Sequence, residues 1–340
     1  MRKVLLVLVA LLLLAAGGAA IYWQRTGAMM QAAGPHRQPV ELTVKPGATV
    51  RAVLAELEGK GALADRRGVA LRLRIQGSPQ IKTGRYEIPA GASPNDILAQ
   101  LAEGRVILEA LTVVEGWTFA DMRRVVESHP RIKVTLRGKE ISEVMTAIGH
   151  AGEHPEGRFF PDTYRFAAGT SDRELYVLSY RKMSEALDAA WKGRAENLPL
   201  SDSYAALTLA SIVEKETGLA SERPHIAGVF ITRLRRNMRL QTDPTVIYGL
   251  GSGFDGNIRE RDLRTDTPYN TYTRSGLPPT PIALPSREAL EAVAHPLETG
   301  DIFFVATGAG DGSHVFSATL EAHNAAVARY LARLKGNRSR

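Results

Sequence analysis

The stretch "LASIVEKETG", residues 209–218, is an apolar helical run that ends in two glutamates around a lysine. Carboxylates are rarely buried without a partner or a chemical task, so this segment draws attention to Glu214 and Glu216. On a wheel of about 100° per residue, Ala205, Ala206, Leu207, Leu209, Ala210, Ile212 and Val213 form one wide apolar arc. Thr208, Ser211 and Lys215 form the polar side. Glu214 falls at the edge of the arc, and Glu216 well inside it. The two carboxylates point roughly 160° apart, so they cannot work as an acid/base pair in one pocket. An acid held in apolar surroundings keeps its proton near neutrality, as a general acid acting on a glycosidic oxygen must. By position Glu216 is that acid and Glu214 a structural partner to an arginine. Periodicity alone equally allows Glu216 to be one half of a buried salt bridge.

Working outward, Gly218 reads as the C-terminal cap of this helix, and Ser221 as the start of the next, "ERPHIAGVFITRLRRN". Upstream, Thr118 with Asp121 and Ser171 with Glu174 are capping boxes that open helices, the second running to about Gly193. Downstream come a loop-rich region (241–285), a helix from Ser286, a hairpin "DIFFVATGAGDGSHVFS" and a last helix from Thr319. Residues 40–104 order themselves as strand, helix, helix, strand, helix, with Thr49 and Ser93 as caps. That order resembles a LysM-like module, a fold associated with glycan binding; a spacer without sugar contacts has the same pattern. Helices predominate over a few strands that do not alternate as βαβ units, so the fold class is α+β.

Arg2 and Lys3 precede "VLLVLVALLLLAAGGAAIYW", residues 4–23, an uncharged run long enough to cross a membrane, with Tyr22 and Trp23 at its interfacial end. A cleaved signal peptide is the competing reading, but the apolar run continues past its small residues. The division expected is a cytoplasmic tip (1–3), a transmembrane anchor (4–23), a linker (24–39), a LysM-like subdomain (40–105), a catalytic domain (106–335) and a basic tail (336–340). The formal charge of +7 suggests an anionic partner. Membrane tethering makes nucleic acid a poor candidate. The cysteine-free sequence offers no disulfide or lipobox. The eight histidines contain no HExxH pattern, so neither a metal nor a cofactor is expected.

Residues 209–251, "LASIVEKETGLASERPHIAGVFITRLRRNMRLQTDPTVIYGLG", closely resemble the endolytic murein transglycosylases of the MltG (YceG-like) family. "EGRFFPDTY" (156–164), "YNTYTRSGLPPTPIALP" (269–285), "AHPLET" (294–299) and "HVFSATLEAHN" (314–324) match as well, so the resemblance covers nearly the whole chain. It implies that Glu216, the second glutamate of the EKE pair, is catalytic. It also implies cleavage of nascent peptidoglycan strands within their length, at the inner membrane, with the bulk of the chain in the periplasm. Peptidoglycan synthases (penicillin-binding proteins) are the partners it suggests.

Candidate sugar contacts are Gln241, Thr242 and Asp243 of "LQTDPT", the aromatic faces of Tyr248, Tyr269 and Tyr272, and Asn270. Asp243 before Pro244 also reads as a helix N-cap. Phe159, Phe160 and Tyr164 divide between stacking faces and core, and His314 and His323 between structural roles and substrate contacts. A muramidase-type hydrolase would need a second carboxylate, for which Asp243 and Glu222 are candidates. A membrane-tethered glycan-binding scaffold, with Glu216 structural, is the non-enzyme alternative.

Overall fold

The computed structural model describes residues 2–338. Met1 of the expected tip and residues 339–340 of the basic tail lie outside the described residues. The chain divides into two compact units. One holds the residues up to Glu109 with Arg165–Gly169; the other holds Ala110–Tyr164 and the residues from Thr170 onward.

The first unit begins with helix α1 (Arg2–Gln31), whose apolar part is long enough to cross a membrane. It continues through β1 (Val40–Val44), α2 (Val50–Gly59), α3 (Arg66–Gln76), β2 (Gly84–Ile88) and α4 (Pro94–Glu103), the order expected over 40–104. Thr49 and Ser93 cap α2 and α4 as expected, and Asp65 caps α3. Strands β1 and β2 pair antiparallel with Leu42 opposite Tyr86. Alternation along the two strands sends Leu42, Val44, Tyr86 and Ile88 into a core with Leu54, Leu57, Ile97 and Leu101.

The linker expected over 24–39 is helical as far as Gln31. Its last turns are fastened by Arg72 of α3. The guanidinium lies 4.0 Å from the Trp23 ring centroid, donates to the Trp23 carbonyl, and reaches Thr26 Oγ1 at 3.2 Å. A Cβ on Gly27 would stand 2.6 Å from that guanidinium, so glycine leaves the room it needs. Met30 then enters the core.

Strand β3 (Leu108–Thr112) pairs with β4 (Thr163–Ala167), and both carry the chain across the division. The division between the two units falls at Glu109/Ala110, within β3.

The second unit comprises α5 (Phe119–Ser128), α6 (Ile141–Ala147), α7 (Asp172–Gly193), α8 (Ser203–Glu216), α9 (Arg223–Arg235), α10 (Asp243–Leu250), α11 (Glu260–Arg264), α12 (Arg287–Ala294), the hairpin β5 (Phe303–Ala306) and β6 (His314–Ser317), and α13 (Leu320–Arg338). Both expected capping boxes form, at α5 and α7, and Ser286 caps α12. Phe159 and Tyr164 are buried core residues, while Phe160 is partly buried beside the α8 core.

Helix α8 is the axis of this unit and packs on α7, α9, α10 and α12. Residues 206–213 are all buried, including Thr208 and Ser211. The side read as polar is thus no solvent face. Thr208 donates to the Tyr204 carbonyl at 2.9 Å and Ser211 to that of Thr208 at 2.7 Å, while Ser211 Oγ accepts the Ile282 N–H at 2.9 Å. Every hydroxyl is satisfied, so burial costs little.

Gly218 is not among the left-handed glycines; α8 ends at an extended Thr217. Likewise Glu222, not Ser221, precedes α9, with Pro224 in its first turn.

Candidate active site

Glu216 is the last residue of α8 and lines a cavity of about 470 Å³. Gln241, Thr242, Asp243 and Tyr272 line the same space. Burial pushes the Glu216 carboxyl up to about 7. The Thr242 hydroxyl, donating to Oε1, pulls it down; Asp243 adds to the rise, and the Arg233 cation opposes it. Among the described residues Oε2 has no hydrogen-bond partner, which leaves it to carry the acid proton.

Thr242 is held in place from the 269–273 loop. Its N–H donates to Thr271 Oγ1 at 3.1 Å, and the preceding N–H, of Gln241, to the Thr271 carbonyl at 3.2 Å. Gln241 pays for this turn with a left-handed φ of 51°, uncommon for a residue with a side chain. Thr242, not Asp243, is the N-cap residue of α10; Asp243 is its first helical residue. Released from capping, Asp243 Oδ1 accepts the Tyr272 hydroxyl at 2.6 Å.

The remaining expected contacts are elsewhere. Asn270 is buried and spends its amide N–H groups on the carbonyls of Asp262, Leu263 and Thr265 at 2.7–3.2 Å. Its Oδ1 accepts the Tyr272 N–H at 2.9 Å. It therefore shapes the loop that presents Tyr272. Tyr269 packs on Tyr248 with ring centroids 4.9 Å apart and bonds Thr280. Tyr248 lines a separate cavity. Glu222 accepts from the backbone and ring of His314, binding the hairpin to the start of α9, and is not among the lining residues of the Glu216 cavity.

Several lining residues carry no local signal in the sequence. Buried Arg233 of α9 donates to the carbonyls of Ile302, Arg239 and Leu240, tying the hairpin's approach to the 239–241 turn. Phe303 lies under its guanidinium at 5.2 Å and stacks on His323 of α13 at 4.9 Å. Burial, then the Arg233 charge, lowers the His323 pKa, and its buried Nδ1 has no partner among the described residues. An imidazole held below its ordinary pKa thus faces the same cavity as the carboxyl pushed up to about 7.

Residues 42–329 match the YceG-like family. The chain belongs to that family. Similar proteins include two endolytic murein transglycosylases. The one from Bacillus subtilis is 28% identical over 309 residues, covering 86% of this chain and 85% of the relative. The one from Streptococcus pneumoniae is 27% identical over 325 residues, covering 86% of this chain. This YceG-like chain spans 58% of the length of that pneumococcal relative. A crystal structure of a yceG-like protein from Listeria monocytogenes superposes with a TM-score of 0.54 at 26% identity, covering 85% of this chain and 99% of the other.

A second carboxyl escaped the sequence reading. Glu156, in "EGRFFPDTY", is only 4% exposed and accepts from Phe119 N at 2.9 Å and from the Tyr248 hydroxyl at 3.0 Å. Desolvation outweighs both bonds and raises its pKa to about 7. The folded group therefore keeps a proton that the unfolded chain releases near 4.5. Between those values folding takes up a proton, so stability falls as pH rises and the loss is complete above about 7. Glu156→Gln removes the titration while the amide oxygen still accepts from Phe119. The expected result is a melting temperature that declines less between pH 5 and 8 than in the parent protein. Parallel curves for the two proteins would show that Glu156 does not titrate in this window.

Proposed function

We propose that the protein is an endolytic murein transglycosylase with Glu216 as its acid and base. The observation that carries this is the Glu216 carboxyl, pushed up to about 7 by burial, lining a polar cavity at the end of α8. Glu216 donates its proton to the oxygen between N-acetylmuramic acid and N-acetylglucosamine. The bond from that oxygen to the muramyl C1 breaks as positive charge builds on the ring. The glutamate then takes the proton of the muramyl C6 hydroxyl, whose oxygen bonds to C1 and closes a 1,6-anhydro ring. No water is consumed, and the tethered hydroxyl benefits from a high effective concentration. Neither metal nor cofactor takes part.

Gln241, Thr242, Asp243 and Tyr272 are the sugar contacts in this reading. Helix α1 is a single inner-membrane anchor with the bulk of the chain in the periplasm, where nascent strands and their synthases are found. Residues 40–105 serve as a LysM-like glycan module. The murein transglycosylases among its relatives and the EKE segment support the substrate class.

Asp243 favours a second reading, since it places another carboxylate in the Glu216 cavity. A hydrolase would use it to activate water or to attack C1. Product mass separates the two. Uncrosslinked strands digested by the full chain in detergent should yield muramyl ends about 18 Da lighter than hydrolysed ends, one water never added. Ends at the hydrated mass would overturn the lyase reading, and disaccharides alone would overturn the endolytic one.

A further inference from the structure

A larger cavity, of about 730 Å³, lies beside the Glu216 cavity and shares two elements with it. On α8, one residue step turns the side chain by about 100°, so Lys215 enters the larger cavity and Glu216 the smaller. On α10, Asp243 faces the acid, while Pro244, Ile247 and Tyr248 line the larger space. The volume is that of a small-ligand site, and the walls are mainly apolar, with Phe119, Ile141, Pro155, Ile247 and Ile282 contributing. Ile141 remains 47% exposed there.

The charges around the cavity are committed, except one. Asp121 closes the α5 capping box and pairs with Arg124. Arg123 bonds Glu127 and the carbonyls of Leu136 and Lys139. Glu156 spends both oxygens on Phe119 and Tyr248. Lys215 donates only to the Gly116 carbonyl, at 3.2 Å, and forms no ion pair with a carboxylate among the described residues. Its charge also acts on Asp121 across the same cavity, and its remaining N–H donors suit a ligand with alkyl side chains and a carboxylate.

We propose that this cavity receives the short, alanine-rich peptide arm carried by a muramyl residue beside the cleaved bond. A carboxylate of the arm pairs with Lys215, and its methyl groups pack on Ile247 and Ile141. The proposal rests on the transglycosylase reading above, because such arms occur on murein strands. It adds that the enzyme reads the arm as well as the sugars, one residue along α8 from its acid.

The test compares strands that keep their peptide arms with strands stripped of them, using the full chain in detergent. The parent enzyme should show kcat/KM about tenfold higher on the arm-bearing strands, the scale of one charge-assisted contact. Ala120→Trp fills the cavity from an exposed wall position and should bring that ratio close to one. Lys215→Ala should do the same, and each variant should cut stripped strands at close to the parent rate. A parent ratio near one, an unchanged ratio in both variants, or an equal loss on both substrates would overturn the peptide site. Cleavage of neither substrate by the parent protein would instead overturn the transglycosylase reading itself.

Discussion

Replacing Glu216 by glutamine should lower turnover on glycan strands by about a thousandfold, within the range for loss of a general acid. The fold should survive the change. The amide is nearly isosteric, and its oxygen can still accept from Thr242. Glutamine also carries no charge to desolvate, so the melting temperature should hold or rise slightly at pH 8. That rise follows from the sign of the shift: a carboxyl pushed up to about 7 by burial is costly to the folded state once ionised. In the parent enzyme, kcat/KM should fall as pH rises through about 7, because only the protonated acid starts the reaction. Turnover by Glu216→Gln within tenfold of the parent would remove Glu216 from the chemistry and leave the scaffold alternative standing.

What was legible in the sequence was local. Thr49, Ser93, Thr118, Ser171 and Ser286 each cap a helix through a bond to a residue three positions on, a relation the eye can check without a fold. Glu216 was legible for a related reason: helical period alone separates it from Glu214. The remainder of its cavity arrives from α9, the 239–243 turn, Tyr272, the hairpin and α13, between Arg233 and Asn324, parts of the chain that converge only in space. Arg233 looked like one more basic residue in "RLRR", and nothing nearby announced that its guanidinium would tie two distant backbone segments.

The misreadings share a cause as well. Polarity usually means water, so Thr208 and Ser211 read as a polar face and Asn270 as a sugar contact. Each instead finds backbone partners inside the protein: Thr208 in its own helix, Asn270 in the segment just before it, and Ser211 partly through Ile282, which sequence order does not place beside it. The segment 24–31 looked like a linker because its amphipathic period is poor. Arg72, over forty residues away, is what makes it the last turns of a helix.

Glu214→Ala should act on stability rather than on chemistry. The carboxylate is 5% exposed and accepts from Arg223 at 3.2 Å, from Ser286 N at 2.9 Å and from Ser286 Oγ at 2.5 Å. It thereby joins the end of α8 to the starts of α9 and α12, the helices that pack directly on it. Removing it leaves Arg223, itself 9% exposed, with only Glu115 at 4.0 Å for company. An uncompensated buried charge of this kind costs about 3–5 kcal/mol. In a unit of this size each kcal/mol shifts the melting temperature by about 2–4 °C, so a fall of roughly 10 °C is expected. Changing Arg223 to methionine in the same protein removes the orphaned cation and should recover part of that fall. Turnover per folded molecule, measured well below the melting point, should stay within a few-fold of the parent, since Glu214 is not among the residues lining the Glu216 cavity. An unshifted melting temperature accompanied by lost turnover would reverse the assignment, making Glu214 the chemical residue of the EKE pair and Glu216 its structural neighbour.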